Sequence, residues 1–422
     1  GSSEFKEVQV LIKINDNIQE EVLKVKIEEK YGKTNVDLNI DHKEIQNLGE
    51  TEIQTIYIKE TGNVDMVTLN ISANTIDLLQ KNTASLIFIT DNASVKIKAN
   101  QIRLDEIVKQ FVLPKKDQAI DNKDIKLKIV IETLNADSFE TKPKLCENNV
   151  YVKFNIAAVL GKNETKIHIF DEYIERKILL PDNIEKDKIL TAVVLEPNDI
   201  LRPVPTKIEE KEGKKYAVIN SMLNGVYAIA SDQKKFIDIN GHWAEDAVDE
   251  LGQKLILDKD EENKFEPEKE ITKAQFVGIL GKALGIKEKD TKNRSFRDVK
   301  KDNVYYDNIE AAYEKGIISE FARAKFKPES KITRGQAMKM IVRSMELMKI
   351  KPEVKVTEIK RYIKKYDDIN IGTSRMKKDI VICIKEGIIL GRNRAKVLPN
   401  ENVKKAEAAL MVKRLLKRAG YT

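Results

Sequence analysis

Ile271-Thr272-Lys273-Ala274-Gln275, Ile332-Thr333-Arg334-Gly335-Gln336 and Val403-Lys404-Lys405-Ala406-Glu407 are three versions of one signature, and their recurrence decides how the C-terminal half of the chain is read. Their first residues lie 61 positions apart (271 to 332) and 71 apart (332 to 403). Self-similarity at a fixed period means one supersecondary unit used several times. Four residues before each copy stands the proline of Phe265-Glu266-Pro267, Phe326-Lys327-Pro328 or Val397-Leu398-Pro399. Further upstream come Phe236-Ile237-Asp238, Phe296-Arg297-Asp298 and Tyr366-Asp367-Asp368, each leading towards an amphipathic helix around Ala247 to Leu251, Ile309 to Tyr313 and Ile380 to Ile384. Turns follow at Lys254-Leu255-Ile256-Leu257, Gly316-Ile317-Ile318-Ser319 and Gly387-Ile388-Ile389-Leu390-Gly391. After each signature apolar residues return at helical spacing: Phe276, Ile279, Leu280 and Ala283, then Ala337, Met340 and Ile341, then Ala408, Met411, Val412 and Leu415. The expected units are 232–288, 292–349 and 362–420, with the Lys-rich insertion Ile350 to Lys365 taking up the longer second interval.

Towards the N-terminus the period changes from helical to two. Val8-Gln9-Val10-Leu11-Ile12, Val67-Thr68-Leu69-Asn70-Ile71, Leu127-Lys128-Ile129-Val130 and Val150-Tyr151-Val152-Lys153-Phe154 alternate between the faces of a strand and are separated by Asn, Asp and Gly clusters. This pattern predicts antiparallel all-β sandwich modules. The polar, aperiodic stretch from Leu113 to Asp124 divides them into 5–112 and 124–230, and short helices around Ile76 to Leu79 and Leu104 to Phe111 are expected to cap the sandwich. The chain is therefore multidomain, β modules first and a mainly α region after them.

At 422 residues the chain exceeds a single core, and 41 % apolar with 34 % charged residues suits globular material with a heavily solvated surface. No stretch reaches the roughly 18 apolar residues that a bilayer span requires, and no signal peptide is visible. Gly1-Ser2-Ser3-Glu4-Phe5 reads as an expression remnant, so a longer natural chain is expected. Residues 1–230 sum to −5 and 231–422 to +12, reproducing the formal net charge of +7; within the latter, 281–422 carries +18. Such a field implies an anionic partner. Nucleic acid is not expected, because neither a reading helix nor an aromatic RNA platform is recognisable. Cys146 and Cys383 have no partner at metal-ligand spacing and are expected as buried thiols. His42, His168 and His242 lie near no nucleophile motif, no phosphate loop occurs, and neither a cofactor, a metal nor an enzyme activity is expected.

The succession Phe-x-Asp, helix, Gly-Ile-Ile, Phe-x-Pro, Ile-Thr-Arg-Ala-Glu, helix resembles the S-layer homology family, over about 185 of the 422 residues. Three tandem repeats are that family's working unit. The resemblance implies a pseudo-threefold bundle of three repeats that anchors an extracellular bacterial surface protein by binding an anionic secondary cell wall polysaccharide, typically one carrying a pyruvylated amino sugar, with peptidoglycan as another possible wall partner. The β part, whose closing Gly225-Val226-Tyr227-Ala228-Ile229 resembles the last strand of modules found before such repeats, would serve as spacer. The alternative is an adhesin or scaffold whose β modules bind an external glycan or protein. Carried over by position, the signature cations are Arg334, with Lys273 and Lys405 in the other repeats; the Phe-x-Asp acids are Asp238, Asp298 and Asp368; and the aromatics following them are Trp243 and Tyr305, with Met376 in the third repeat. The signature acid remains only as Glu407, with Gln275 and Gln336 elsewhere.

The residues themselves give a second line of argument. Thr272-x-x-Gln275 and Thr333-x-x-Gln336 read as capping boxes, which accounts for the Thr and Gln without any ligand. It does not account for Lys273, Arg334 or Lys405 at the first helical position, where a cation opposes the helix dipole by about 0.3 to 1 kcal/mol. A cation beside exposed helix N–H groups suits a carboxylate or phosphate, and Arg grips one bidentately where Lys cannot. Phe236, Phe296 and Tyr366 read as core anchors. Trp243, the only tryptophan, could stack on a pyranose or simply pack. The three aspartates could cap the following helix, the favoured reading, or hold a cation or sugar hydroxyl.

Overall fold

The computed structural model describes the backbone of residues 5–14, 17–30, 33–40 and 55–60, and backbone with side chains over most of 65–422. Outside the description lie 104–105, 107–123, 140–145, 185–187, 234, 290–294, 319–324, 371 and 391–395, with backbone alone at 146–149 and at 136, 199 and 367. The expected helix at 104–111 and the side chain of Cys146 fall outside it. The chain divides into two compact units, one made of 1–186, 192–201 and 208–229 and the other of 187–191, 202–207 and 230–422.

In the first unit the alternating stretches are strands. Met66–Ser72 pairs antiparallel with Ile125–Leu134, from Met66 opposite Glu132 to Ser72 opposite Lys126, and Ala93–Lys98 pairs with Ile169–Leu179. Strands on either side of 113–123 thus share ladders, and all of 1–186 falls in one unit. Two pairings are parallel, Lys33–Ile40 with Met66–Ser72 and Thr55–Glu60 with Ser85–Ile89, so the expected purely antiparallel pattern is corrected to a mixed one. A period of two specifies which face is apolar and leaves the choice of neighbour to long-range packing. The inward residues Val67, Leu69, Ile71, Ile125, Leu127 and Ile129 are buried, and helix α1 (Ala73–Lys81), capped by Ser72, lays Ile76 and Leu79 on them. Arg176 also lies wholly inside this unit. Its Nη1 donates to the carbonyls of Ile174 (3.2 Å) and Ser221 (2.9 Å), its Nη2 donates to Asn224 Oδ1 (3.1 Å), and the guanidinium stands 5.2 Å from the Tyr227 ring. Burial lowers its pKa.

The second unit is helical: α2 (Glu245–Gln253), α3 (Lys273–Leu284), α4 (Tyr306–Glu314), α5 (Arg334–Leu347), α6 (Val356–Lys365), α7 (Ser374–Lys385) and α8 (Lys405–Arg418). The helices expected after each Phe-x-Asp are α2, α4 and α7, and those after each signature are α3, α5 and α8. Each of the latter packs on the first helix of the following unit: α3 on α4, α5 on α7, and α8 back on α2. At their N-termini the chain closes a ring of hydrogen bonds, with Ile271 N donating to Val403 O (2.9 Å), Val403 N to Ile332 O (3.0 Å) and Ile332 N to Ile271 O (3.2 Å). Phe236 against Phe265 and Phe296 against Phe326, with centroids 5.3 and 5.4 Å apart, anchor the core beside this ring. Cys383 is buried, and desolvation pushes its thiol pKa well up.

The three aspartates do not cap helices; α2 and α4 begin without a side-chain cap, and Thr373 caps α7. Asp238 instead accepts from the backbone N–H of Phe265 and Glu266, both 2.7 Å. Asp298 does the same with Phe326 and Lys327, both 2.8 Å, and Asp368 with Val397 and Leu398. Glu266, Lys327 and Leu398 have φ of 57°, 59° and 58°, a left-handed conformation that costs a side-chain-bearing residue of order 1 to 3 kcal/mol. The carboxylate holds the strained turn by taking two adjacent N–H groups. Asp298→Ala should therefore cost about 3 kcal/mol, the lower end of the sum for two charge-assisted bonds, because one is part-buried and the other exposed. The check is a denaturant titration, and Asp298→Asn should recover part of the loss because its Oδ1 still accepts.

Candidate functional site

The signature helices start differently from the expectation of exposed N–H groups. Thr272 and Thr333 do form capping boxes: Gln275 N donates to Thr272 Oγ1 (3.2 Å) and Thr272 N to Gln275 Oε1 (2.9 Å), with 3.3 and 3.1 Å for Thr333 and Gln336. The first two N–H groups of each helix, however, are taken by the Pro loop of the next unit. Lys273 N and Ala274 N donate to Ser330 O and Pro328 O, Arg334 N and Gly335 N to Glu401 O and Pro399 O, and Lys405 N and Ala406 N to Lys269 O and Pro267 O. Backbone carbonyls from the neighbouring unit occupy the position expected for an anion at each of these helix starts.

The signature cations are turned into the same seams. Arg334 is 5 % exposed; its Nε donates to Val397 O (2.9 Å) and its Nη1 to Glu407 Oε1 (2.7 Å). The second oxygen of Glu407 accepts from Lys404 N (3.1 Å), where the other signatures have Thr. Lys405 reaches Phe265 O at 3.0 Å and Glu266 Oε2 at 3.1 Å, the same loop position one unit on. Lys273 is buried, and desolvation first, then repulsion from Lys327, lowers its pKa. Tyr305 packs its ring over Gly278 of α3, where an added Cβ would lie 2.4 Å from it. As the residue before α4, Tyr305 corresponds to Ala244 before α2, so the position of Trp243 is filled by Val304, not by Tyr305.

One open cleft of about 430 Å³ lies between α8 and the start of α2. It is lined by Trp243, Glu268, Arg334, Ile388, Ile389, Leu390, Lys404, Glu407, Leu410, Met411 and Arg414. Trp243 is 59 % exposed, which is unusual for so large an apolar side chain. His242 precedes it with ring centroids 5.1 Å apart. His242 Nδ1 accepts from Ala244 N (3.2 Å), which leaves Nε2 to carry the proton it donates to Glu268 Oε1 (3.0 Å). The other oxygen of Glu268 pairs with Lys404, and the hydrogen bonds from Lys404 and then His242 hold the Glu268 carboxyl below its usual range. Arg414 donates through Nη1 to Ile388 O (3.1 Å), and desolvation lowers its pKa. The cleft thus sets an exposed indole face beside cations held by carboxylates and carbonyls. Such a lining can hydrogen-bond an acidic sugar while the indole covers its apolar face.

Of the residues nominated from sequence, Trp243 and Arg334 line this cleft; Lys273, Lys405, Tyr305, Asp238, Asp298 and Asp368 do not. Sequence reasoning passed over Lys404, Glu268, His242 and Arg414. Lys404 had a signal, a cation standing at the Thr position of the signature. The others had none, because the walls of the cleft come from parts of the chain some 136 residues apart. No three-carboxylate or His/Cys cluster suited to a metal occurs among the described residues, and no described helix is long and apolar enough to cross a membrane.

The family model of the S-layer homology domain matches residues 235–277 and 295–338. Two of the repeats thus match the S-layer homology domain. The matched stretches run from the first Phe-x-Asp through the first signature and from just before the second Phe-x-Asp through the second. Relatives include the amylopullulanase of Thermoanaerobacterium thermosulfurigenes, 28 % identical over 204 residues, which are 46 % of this chain and 10 % of that protein. The S-layer protein of Bacillus licheniformis is 30 % identical over 195 residues, 46 % of this chain and 21 % of its own length. The surface-layer 125 kDa protein of Lysinibacillus sphaericus is 27 % identical over 198 residues, 16 % of its length. The chain thus spans between 10 % and 21 % of the length of these relatives.

Proposed function

We propose that the helical unit anchors the chain non-covalently to a bacterial cell wall at the cell surface, by holding an anionic secondary wall polysaccharide in the cleft between α8 and α2. The observation that carries this reading is Trp243, left exposed beside Lys404, Arg334 and Arg414 in an open cleft of the unit. An indole with flanking cations suits a sugar bearing a carboxylate, and a pyruvylated amino sugar has both elements. S-layer proteins and an amylopullulanase stand among the relatives, which agrees with a module that fixes varied cargo at one place. In this reading 362–420 is a third S-layer homology repeat and completes a pseudo-threefold bundle. Its support is the ring joining Ile271, Val403 and Ile332 and the aspartate clamp repeated at Asp368. The β-rich part acts as spacer, and the chain itself is a non-enzymatic anchor.

The test is co-sedimentation with purified wall sacculi before and after hydrofluoric acid, which strips the secondary polymer and leaves peptidoglycan. Binding is expected before treatment and loss of at least ten-fold after it. Retention on stripped sacculi assigns the partner to peptidoglycan and overturns the polysaccharide reading.

A further inference from the structure

The insertion between the second signature helix and Tyr366 has no counterpart in the first interval, and it forms a helix of its own. None of the ten residues of α6 is buried. Residues 349–365 hold seven Lys or Arg against two Glu. Glu358 is already taken, accepting from Lys385 Nζ and from the backbone N–H of Lys355 (2.9 Å). Lys351, Lys355, Lys360, Arg361, Lys364 and Lys365 are all exposed, and none of them is in an ion pair among the described residues. The guanidinium of Arg361 lies 5.4 Å from the Tyr362 ring and the ammonium of Lys365 5.3 Å from the Tyr366 ring. In a chain where most cations near the cleft are bonded to carboxylates, a face of uncompensated cations is costly in self-repulsion and gains only by meeting an outside anion.

We propose that the outward face of α6 is a second contact surface, for the chain of an extended polyanion bearing phosphate or carboxylate groups; it rests on the anchoring reading, in which that polyanion is the wall polymer. Two features favour a polymer over an anionic bilayer. Ile359, Tyr362 and Ile363, the apolar residues that a membrane helix would insert, are half-buried, leaving Val356 as the exposed apolar residue of the helix. The cations follow the helix at successive turns, so they meet charges spaced along a chain. Contacts of this kind act by counterion release, with a slope of roughly −0.7 in log K against log salt for each anion neutralised on a flexible strand.

The experiment compares the full chain with a Lys360→Ala/Arg361→Ala/Lys364→Ala/Lys365→Ala variant and a Trp243→Ala variant, on three probes: wall sacculi, long-chain inorganic polyphosphate, and vesicles of phosphatidylglycerol with phosphatidylcholine. The quadruple variant should melt as wild type, bind sacculi and polyphosphate at least ten-fold more weakly at 50 mM salt, and lose about 2 to 3 units of salt slope. A Lys360→Gln/Lys364→Gln variant, which keeps side-chain length, should lose about half that slope. Trp243→Ala should keep polyphosphate binding, which separates the two surfaces. Unchanged binding of the quadruple variant to both polymers overturns the proposal, as does tighter binding of wild type to vesicles than to either polymer. If wild type ignores sacculi, the anchoring reading fails alone; polyphosphate binding that the quadruple variant loses then still supports the polyanion surface, and its absence overturns it.

Discussion

Arg334→Ala should cost the helical unit about 3 to 5 kcal/mol and lower its melting temperature by roughly 10 °C, the figure for a unit of about 200 residues at 2 to 4 °C per kcal/mol. The side chains of Arg334 and Glu407 are 6 % and 12 % exposed, so removing the guanidinium takes a charge-assisted partner from a largely covered carboxylate whose other oxygen accepts from Lys404 N. It also orphans Val397 O, the carbonyl next to the strained Leu398 that Asp368 clamps. Both losses fall on the seam joining the second and third signatures. Arg334→Lys should lose less, since an ammonium can still meet Glu407, though it cannot fork to Val397 O as well. Glu407→Ala should cost a similar amount, and the double variant less than the sum of the two, which is the signature of a coupled pair. Circular dichroism at a helical wavelength reads this directly, because the long helices lie in this unit. A variant Arg334→Ala that melts as wild type yet no longer binds sacculi would mean that the arginine serves the ligand and that the seam does not need it.

The role of Arg334 marks where sequence stops being informative. Its place in the signature and the register of the units are local patterns, and the structure keeps them: α3, α5 and α8 start where the signatures put them, and Thr272 and Thr333 cap as their spacing with Gln275 and Gln336 requires. What the cation touches depends on a loop 63 residues further on, and what occupies the helix N–H groups depends on the same loop. No spacing within one repeat encodes that. The aspartates misled for a related reason, because an acid a few residues before a helix reads as a cap, while its actual partners, 27 to 30 residues away, are the N–H groups of a left-handed turn. In the β-rich part alternation correctly located Met66–Ser72 and Ile125–Leu134. The parallel pairing of Lys33–Ile40 with Met66–Ser72 was out of reach, since two strands of equal alternation are interchangeable until the core chooses between them. Arg176 is the extreme case: a lone cation in an alternating strand reads as an outward residue, and it is fully buried among carbonyls.

Trp243→Ala is expected to weaken wall binding by about thirty-fold while leaving the melting temperature within about 2 °C of wild type. The two halves of that statement have different causes. Stability is spared because the indole is 59 % exposed, and truncating a surface side chain outside a network usually stays within about 0.5 kcal/mol. Neighbours that shape the α2 start, His242 with its bonds to Ala244 N and Glu268, remain in place without it. Binding suffers because a large flat side chain at the mouth of a cleft is the kind of residue that carries an interface, and truncating such an anchor costs about 2 kcal/mol or more, which is some thirty-fold at 1.4 kcal/mol per decade. Trp243→Phe should recover most of the affinity if the face of the ring is what the sugar meets, and Trp243→Leu little of it. Many copies of the polymer on one sacculus can mask a loss at a single cleft, so the measurement is calorimetry with a short soluble fragment of the hydrofluoric acid-released polymer. Equal affinity of Trp243→Ala and wild type for that fragment would remove the cleft between α8 and α2 as the binding site, and with it the observation on which the anchoring assignment of this chain stands.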